Sequence, residues 1–300
     1  MPTIYTIGVD IGATKIVAGL VKGKKIIRKE RFITKESQKT SKKDILKKIK
    51  LAIESVWNPQ VNNIGLGIAG TTDPKKGIFF QGANFPPTFR NIDFKRELKH
   101  FQVPIAIDND VHCFTLGEAF YGQGQEYKNV FGITLGTGVG GSLVIDKQIY
   151  RGRDNAVGEI GHTIISLEED KTINDLNLSG RLESLASGTG LKRLINQYYK
   201  KPFPSEDLER LALRGDKKAI KIIDLAGRAF AIGCANIVLT LNPDIIIVGG
   251  GLSRLEGLWR VLHRDFRHLI PYQKLRSTKI TKSILLHDAT ILGAAKLLRG

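Results

Sequence analysis

Two stretches of this chain, more than a hundred residues apart, are laid out alike. Ile4 to Asp10 has strand character, breaks at Gly12-Ala13-Thr14, resumes from Lys15 to Val21, turns at Lys22-Gly23-Lys24 and continues as Ile26 to Ile33. The format returns as Val130 to Leu135, a Gly136–Gly141 loop, Ser142 to Ile145, a turn at Asp146-Lys147, and Gln148 to Tyr150. Two meanders of one design imply two related lobes. Between and after them helix and strand alternate: helices over 41–57, 91–100 and Val111 to Tyr121, and strands from Asn63 to Ile68 and Val103 to Ile107. Past Glu159 the text is polar and turn-rich through Asp175. Helices follow near 184–200, 205–213 and 216–241, the last ended by Asn242-Pro243. An apolar strand, Asp244 to Val248, enters Gly249-Gly250-Gly251; a helix to about 270, a basic strand over Ser277 to Leu286 and a helix from Ala289 to Leu298 complete the chain. The expected class is α/β with mixed sheets. No low-complexity linker divides it, so a domain boundary would be a hinge.

Charge excludes less than it first implies. The 300 residues carry a formal +17, the ordinary signature of a nucleic-acid binder. Its distribution argues otherwise: residues 1–58 carry 14 basic and 5 acidic side chains, residues 251–300 carry 10 and 3, and the middle nets only +1. Within the basic N-terminal part, Ser41 to Lys50 turns Ile45, Leu46 and Ile49 inward and its lysines outward, a solvated face. No apolar stretch reads as approaching the roughly 20 residues of a membrane span, and the first residues lack a signal-peptide layout. The expected compartment is the cytoplasm, with no membrane partner. Two cysteines, Cys113 and Cys234, form no disulfide framework and no zinc quartet.

The loops carry the chemistry. Asp10-Ile-Gly-Ala-Thr-Lys15 puts a carboxylate at a strand end before a small-residue turn whose N–H groups can face an anion, a suitable arrangement for a phosphate and its metal. Gly136-Thr137-Gly138-Val139-Gly140-Gly141 is a second cradle. It leads into a strand, whereas a dinucleotide fingerprint leads into a helix, and no GxxxxGK[ST] occurs. Gly249–Gly251 offers a third close approach, plausible against adenosine. In Ile107-Asp108-Asn109-Asp110 a carboxylate at a helix start could accept a proton from a hydroxyl, with Asn109 orienting it; N-capping by Asn109 or Asp110 is the competing reading. Glu159 and His162, in Gly158-Glu-Ile-Gly-His162, suit a polyhydroxylated ligand. Glu183 falls in the first turn of a helix, where complementing the helix dipole is the plain explanation.

In order, DIGATK, IDND, LGTGVGGSL followed by GEIGH, and IIIVGGGLS resemble the ROK family (repressors, open reading frames and sugar kinases) of the actin-like, ribonuclease H-like ATPase fold. GLGIAG and ANFP extend the match over nearly the whole chain. The resemblance implies two lobes, 1–108 plus 289–300 and 109–288, with ATP and Mg²⁺ in the cleft and a sugar near the hinge. It implies that Asp10, Gly12, Ala13, Thr14 and Lys15 form the first phosphate site, with Asp10 holding Mg²⁺ through water. Gly136, Thr137, Gly138, Gly140, Gly250 and Gly251 would hold the rest of the nucleotide. Asp110 would be the general base, and Asn84, Asn109, Asp110, Glu159, His162 and Glu183 the sugar contacts. Many family members carry a cysteine-rich zinc segment; residues 163–182 here contain no cysteine, so no zinc site is expected, His162 faces sugar instead, and the local fold of that segment has no template. Family repressors prefix a winged helix, and a phosphate motif beginning at Asp10 leaves no room for one. The implied activity is ATP-dependent phosphorylation of a hexose, glucose first, by a homodimer. N-acetylhexosamine, fructose and mannose kinases, or a polyphosphate-using glucokinase, are the neighbouring alternatives. A sugar-responsive regulator binding nucleic acid through the basic ends is the alternative of another class.

Overall fold

The computed structural model describes residues 4–37, 39–166 and 180–298. It divides into two units, Met1–Gly132 with Ser142–Val157 and Ser283–Gly300, and Ile133–Gly141 with Gly158–Lys282. The first opens with the expected meander, β1 (Tyr5–Ile11), β2 (Lys15–Lys22) and β3 (Lys25–Ile33), followed by α1 (Lys42–Ser55) and β4 (Val61–Ile68). Next come β5 (Thr71–Asp73), β6 (Ile78–Gln81), β7 (Ile92–Asp93), the short α2 (Phe94–Glu97), β8 (Ile105–Asn109) and α3 (Asp110–Tyr121). The main sheet has the order β3-β2-β1-β4-β8, antiparallel through the meander and parallel from β1 to β4 to β8.

Alternation along β1 sorts its two faces. Ile7, Val9 and Ile11 are fully buried in the cluster that includes Ile45, Ile49 and Ile53 of α1, and Ile64, Leu66 and Ile68 of β4. Gly8 and Asp10 point the other way, toward the closing helix, whose residues Ile291 and Leu292 pack with Val17 and Val21. There the backbones themselves touch. A Cβ on Gly8 would stand 1.9 Å from the Ile291 carbonyl oxygen, one on Gly65 1.8 Å from that of Ala294, and one on Gly293 1.7 Å from that of Cys113 in α3. Only hydrogen side chains permit this approach.

The remaining elements are β9 (Val130–Leu135), β10 (Val139–Ile145), β11 (Gln148–Tyr150), α4 (Leu182–Ala186), α5 (Gly188–Tyr199), α6 (Glu206–Leu213), α7 (Lys217–Leu241), β12 (Ile245–Gly249), α8 (Glu256–Leu269), β13 (Lys279–Lys282) and α9 (Asp288–Lys296). The second sheet has the order β11-β10-β9-β12-β13. The first unit includes α3, which packs on α9 along a seam of glycines.

Several expectations need correction. No long helix spans 91–100: Ile92 pairs with Phe79 in a third sheet, β5-β6-β7, and the Asp93 carboxylate caps the four-residue α2. The buried rings of Phe79, Phe85 and Phe89 pack together beside it, Phe85 and Phe89 stacked at 4.9 Å. The 184–200 helix breaks at Ser187, whose extended backbone and hydroxyl start α5 afresh. The basic strand stops at Lys282, because Ser283 turns inward to donate to the buried Glu118 at 2.5 Å while accepting from the Leu286 N–H at 2.8 Å. Finally, against the expectation that no stretch approaches a membrane span, α7 is long and apolar enough to cross a membrane by length and composition; 67% of its most apolar window is buried, as in a core helix, and α4, α5, α6 and α8 pack on it. Of the 163–182 segment, residues 167–179 lie outside the described ones.

Candidate active site

The strand registers set the first half of the site. Asp10 in β1 pairs with Gly67 in β4, and Gly67 with Asp108 in β8, so two carboxylates and a glycine form one row across the sheet. The next row, Ile11, Ile68 and Asn109, ends β8, and Asp110 opens α3. Asn109 is the N-cap: its Oδ1 accepts from the Val111 N–H at 2.8 Å and the His112 N–H at 3.4 Å, while its Nδ2 donates to the Gly70 carbonyl at 3.0 Å. The capping reading and the ligand reading are compatible, since one amide hydrogen remains uncommitted by these bonds. Asp110 is half-buried in the first turn of α3, where the helix dipole favours its charge.

Asp10 and Asp110 feel one another. Burial, then the Asp110 charge, push the Asp10 carboxyl up from 3.8 to about 7, with Lys15 opposing. The folded chain therefore holds the Asp10 proton more tightly than the unfolded chain does, and this group costs stability as pH rises from about 4 through 7. Asp10→Asn is expected to match the wild type near pH 4 and to melt several degrees higher at pH 8. A melting-temperature difference that does not change with pH would contradict this.

Beside Asp10 the small-residue turn is fixed from within the first unit. The Gly12 N–H donates to the Lys15 carbonyl at 2.9 Å; buried Thr34 donates its hydroxyl to the Gly12 carbonyl at 2.6 Å and its N–H to the Thr14 carbonyl at 3.1 Å. Ala13 is buried and Thr14 exposed. Lys15 Nζ lies 3.3 Å from His287 Nδ1. Asn84 is exposed in the turn after β6, its carbonyl accepting from Lys35 at 2.6 Å. Asp10 and Asp110 supply hard oxygen donors, and a cation there would relieve their repulsion. That donor set fits Mg²⁺, which binds through one or two carboxylates and completes its shell with water and phosphate.

The second unit carries the other glycine turn. β10 begins at Val139, so the turn is confined to Gly136–Gly138 and Gly140 lies within the strand. Glu183 sits against this turn: its Oε2 accepts from the Val139 N–H at 2.8 Å and would lie 2.3 Å from a Cβ on Gly138. A side chain at position 138 would displace that carboxylate. The start of α5 braces the turn, the Gly188 N–H donating to the Gly136 carbonyl at 2.8 Å and the Thr189 N–H to the Thr137 carbonyl at 3.1 Å. Glu159 is exposed, 3.8 Å from the ring of His162, whose carbonyl accepts from Arg181. Gly250 follows β12 at φ +85°, close against Leu135, and Gly251 is exposed. Among the described residues no group of three or more His, Cys, Asp or Glu gathers as metal ligands.

Sequence reasoning passed over Asp108, Thr34, Arg151, Asn155 and Ser187. Asp108 lies inside the IDND motif, but Arg151 and Asn155, the partners that tie it to the second segment, lie more than 40 residues away and carry no local signal. Ser187-Gly-Thr-Gly190 was legible as a capped helix start.

The ROK family model matches residues 6–300. A glucokinase from Thermotoga maritima is 31% identical over 100% of this chain and 98% of its own length. An N-acetyl-D-glucosamine kinase from Photobacterium profundum is 29% identical over 97% of this chain and 98% of its own. The crystal structure of a ROK family glucokinase from Streptomyces griseus, in complex with glucose and AMPPNP, superposes with a TM-score of 0.80 at 27% identity, covering 98% of this chain and 99% of that one. The motif order, the paired meanders and a match that leaves out only the first five residues agree: this chain belongs to the ROK family and has the actin-like α/β fold of its sugar kinases.

Proposed function

We propose that this protein is an ATP-dependent sugar kinase that phosphorylates a hexose hydroxyl, glucose to glucose 6-phosphate first among the candidates. The observation that carries the reading is the pair of Asp10 and Asp110, whose charges act on one another, one carboxylate near the end of β1 and poised for a cation, the other at the helix start after β8. Kinase names on relatives that align over almost their full length support it.

In this reading Asp110 accepts the proton of the attacking hydroxyl as its oxygen bonds the terminal phosphorus, ADP leaves with the bridging electron pair, and the proton passes to solvent. Asn109, Asn84, Glu159, His162 and Glu183 bind sugar hydroxyls. Ala13 to Lys15 and Thr137 to Gly138 present N–H groups to the phosphate chain, the Gly12 and Gly136 N–H groups closing their own turns, with Gly250 and Gly251 toward the nucleoside. Mg²⁺, held by Asp10, would neutralise charge on the phosphates.

An ADP-release assay over glucose, mannose, fructose, N-acetylglucosamine and N-acetylmannosamine with ATP as donor tests the reading, and sugar phosphate is measured directly where polyphosphate replaces ATP. Sugar-dependent ADP release with glucose giving the highest kcat/KM is expected. Release with N-acetylhexosamines alone would move the substrate, and no sugar-dependent release would reject the kinase.

A further inference from the structure

Asp108 takes no part in the chemistry proposed above, yet five hydrogen bonds converge on its carboxylate. It is fully buried. Oδ1 accepts from the Asn109 N–H at 2.8 Å, from His112 Nδ1 at 2.8 Å and from Asn155 Nδ2 at 3.3 Å. Oδ2 accepts from Arg151 Nε at 2.9 Å and Nη2 at 2.7 Å. Burial would raise its pKa, but the His112 hydrogen bond and charge, the Arg151 guanidinium and the Asn109 N–H together hold it below the ordinary value. Five bonds exceed the roughly four lone-pair directions of a carboxylate, so this group is saturated and has nothing left to offer a ligand.

The bonds converge from two segments of the chain. Asn109 and His112 belong to the junction where β8 becomes α3, the junction that carries Asp110. Arg151 and Asn155 belong to the loop that leads along the chain into Gly158-Glu159. Asn155 takes φ +58° and also donates to Thr72 Oγ1 of β5 at 3.0 Å, and His112 Nε2 stands 3.4 Å from the Val157 carbonyl. Removing the charge of a purely local cap would loosen one helix end. Removing this one would release the helix start and the loop together.

We infer that Asp108 is the positioning residue of the site: one buried carboxylate, neutralised by Arg151, fixes the 109–112 helix start and the 151–157 loop in a single arrangement. This rests on the kinase reading for its kinetic consequence but not for its structural one. Arg151 is partly exposed, so Arg151→Lys keeps the charge, loses the two-pronged contact and is expected to fold. Asp108→Asn removes the charge in place.

Both variants are expected to lower kcat/KM for the sugar by about tenfold or more while the KM for ATP stays within about twofold, the usual scale for outer-shell partners. The double variant should be no worse than the poorer single one, because both cut the same bond. Hydrogen exchange across 151–157 should rise in each, a readout that needs no turnover. Folded Arg151→Lys with wild-type sugar kinetics and unchanged exchange at 151–157 would overturn the inference, as would a lower melting temperature with unaltered sugar kinetics per folded enzyme. A wild-type protein that phosphorylates no sugar would reject the kinase reading instead, and the exchange result would still decide this one.

Discussion

Asp110→Asn is expected to reduce sugar phosphorylation by about a thousandfold while leaving sugar affinity within a few-fold. The amide keeps the size and hydrogen-bonding reach of the carboxylate, so the ground-state contact with a hydroxyl survives. What it loses is basicity, which matters only as the hydroxyl proton departs. The structure adds a check that separates lost chemistry from lost folding. Asp110 is one of the two causes that raise the Asp10 pKa, so the variant should lower that pKa and, above pH 7, melt no lower than the wild type. Near-wild-type turnover would remove Asp110 from the mechanism. A collapse in melting temperature would show that its role is structural.

The second large effect is expected at Gly293. An alanine there would place its methyl carbon 1.7 Å from the Cys113 carbonyl oxygen, about half an ordinary contact distance, with backbone on both sides. Nothing flexible can swing away, so α9 and α3 would have to part, and Gly117 against Ala289 would open with them. Overpacking usually costs about 1–3 kcal/mol; here two backbones must move, and Gly293→Ala is expected to melt at least about 10 °C lower or to be recovered insoluble. Gly23→Ala is the control: a Cβ there meets nothing within 4 Å, and only the backbone at φ +60° objects. Comparable melting temperatures for the two would show that the seam tolerates separation.

These two positions also mark what the sequence could and could not say. The meanders, the glycine turn after β9 and the helix start at Asp110 were legible because each is written in adjacent residues: alternation, turn chemistry, a cap. Gly293 and Gly65 look like ordinary small residues until the register of β1, β4 and α9 is known. The third sheet was missed because β5, β6 and β7 are two to four residues long, too short for a period to register. Helix 184–200 was read through Ser187 because the apolar spacing continues across the break. Asp108 stands within IDND, but Arg151 and Asn155 lie 43 and 47 residues away, so no local pattern announces their bonds. Glu183 was read as a sugar ligand or a dipole partner; its bond to the Val139 N–H ties it to the glycine turn as well.

The +17 charge likewise reads differently with the fold in view. Much of the N-terminal excess lies on β3, an edge strand exposed along most of its length, and on the solvent face of α1. Long-range attraction of a polyanionic donor by this surface would weaken as salt rises.

The central claim is transfer of a phosphoryl group from ATP to a sugar hydroxyl, and phosphorus NMR of the reaction mixture reads it directly. With glucose, ATP and Mg²⁺, a phosphomonoester resonance is expected, split into a triplet by the two protons of the adjoining methylene, growing in step with ADP and absent with Asp110→Asn. ADP accompanied only by the singlet of inorganic phosphate, or ATP left unconsumed with every sugar tried, would contradict the account.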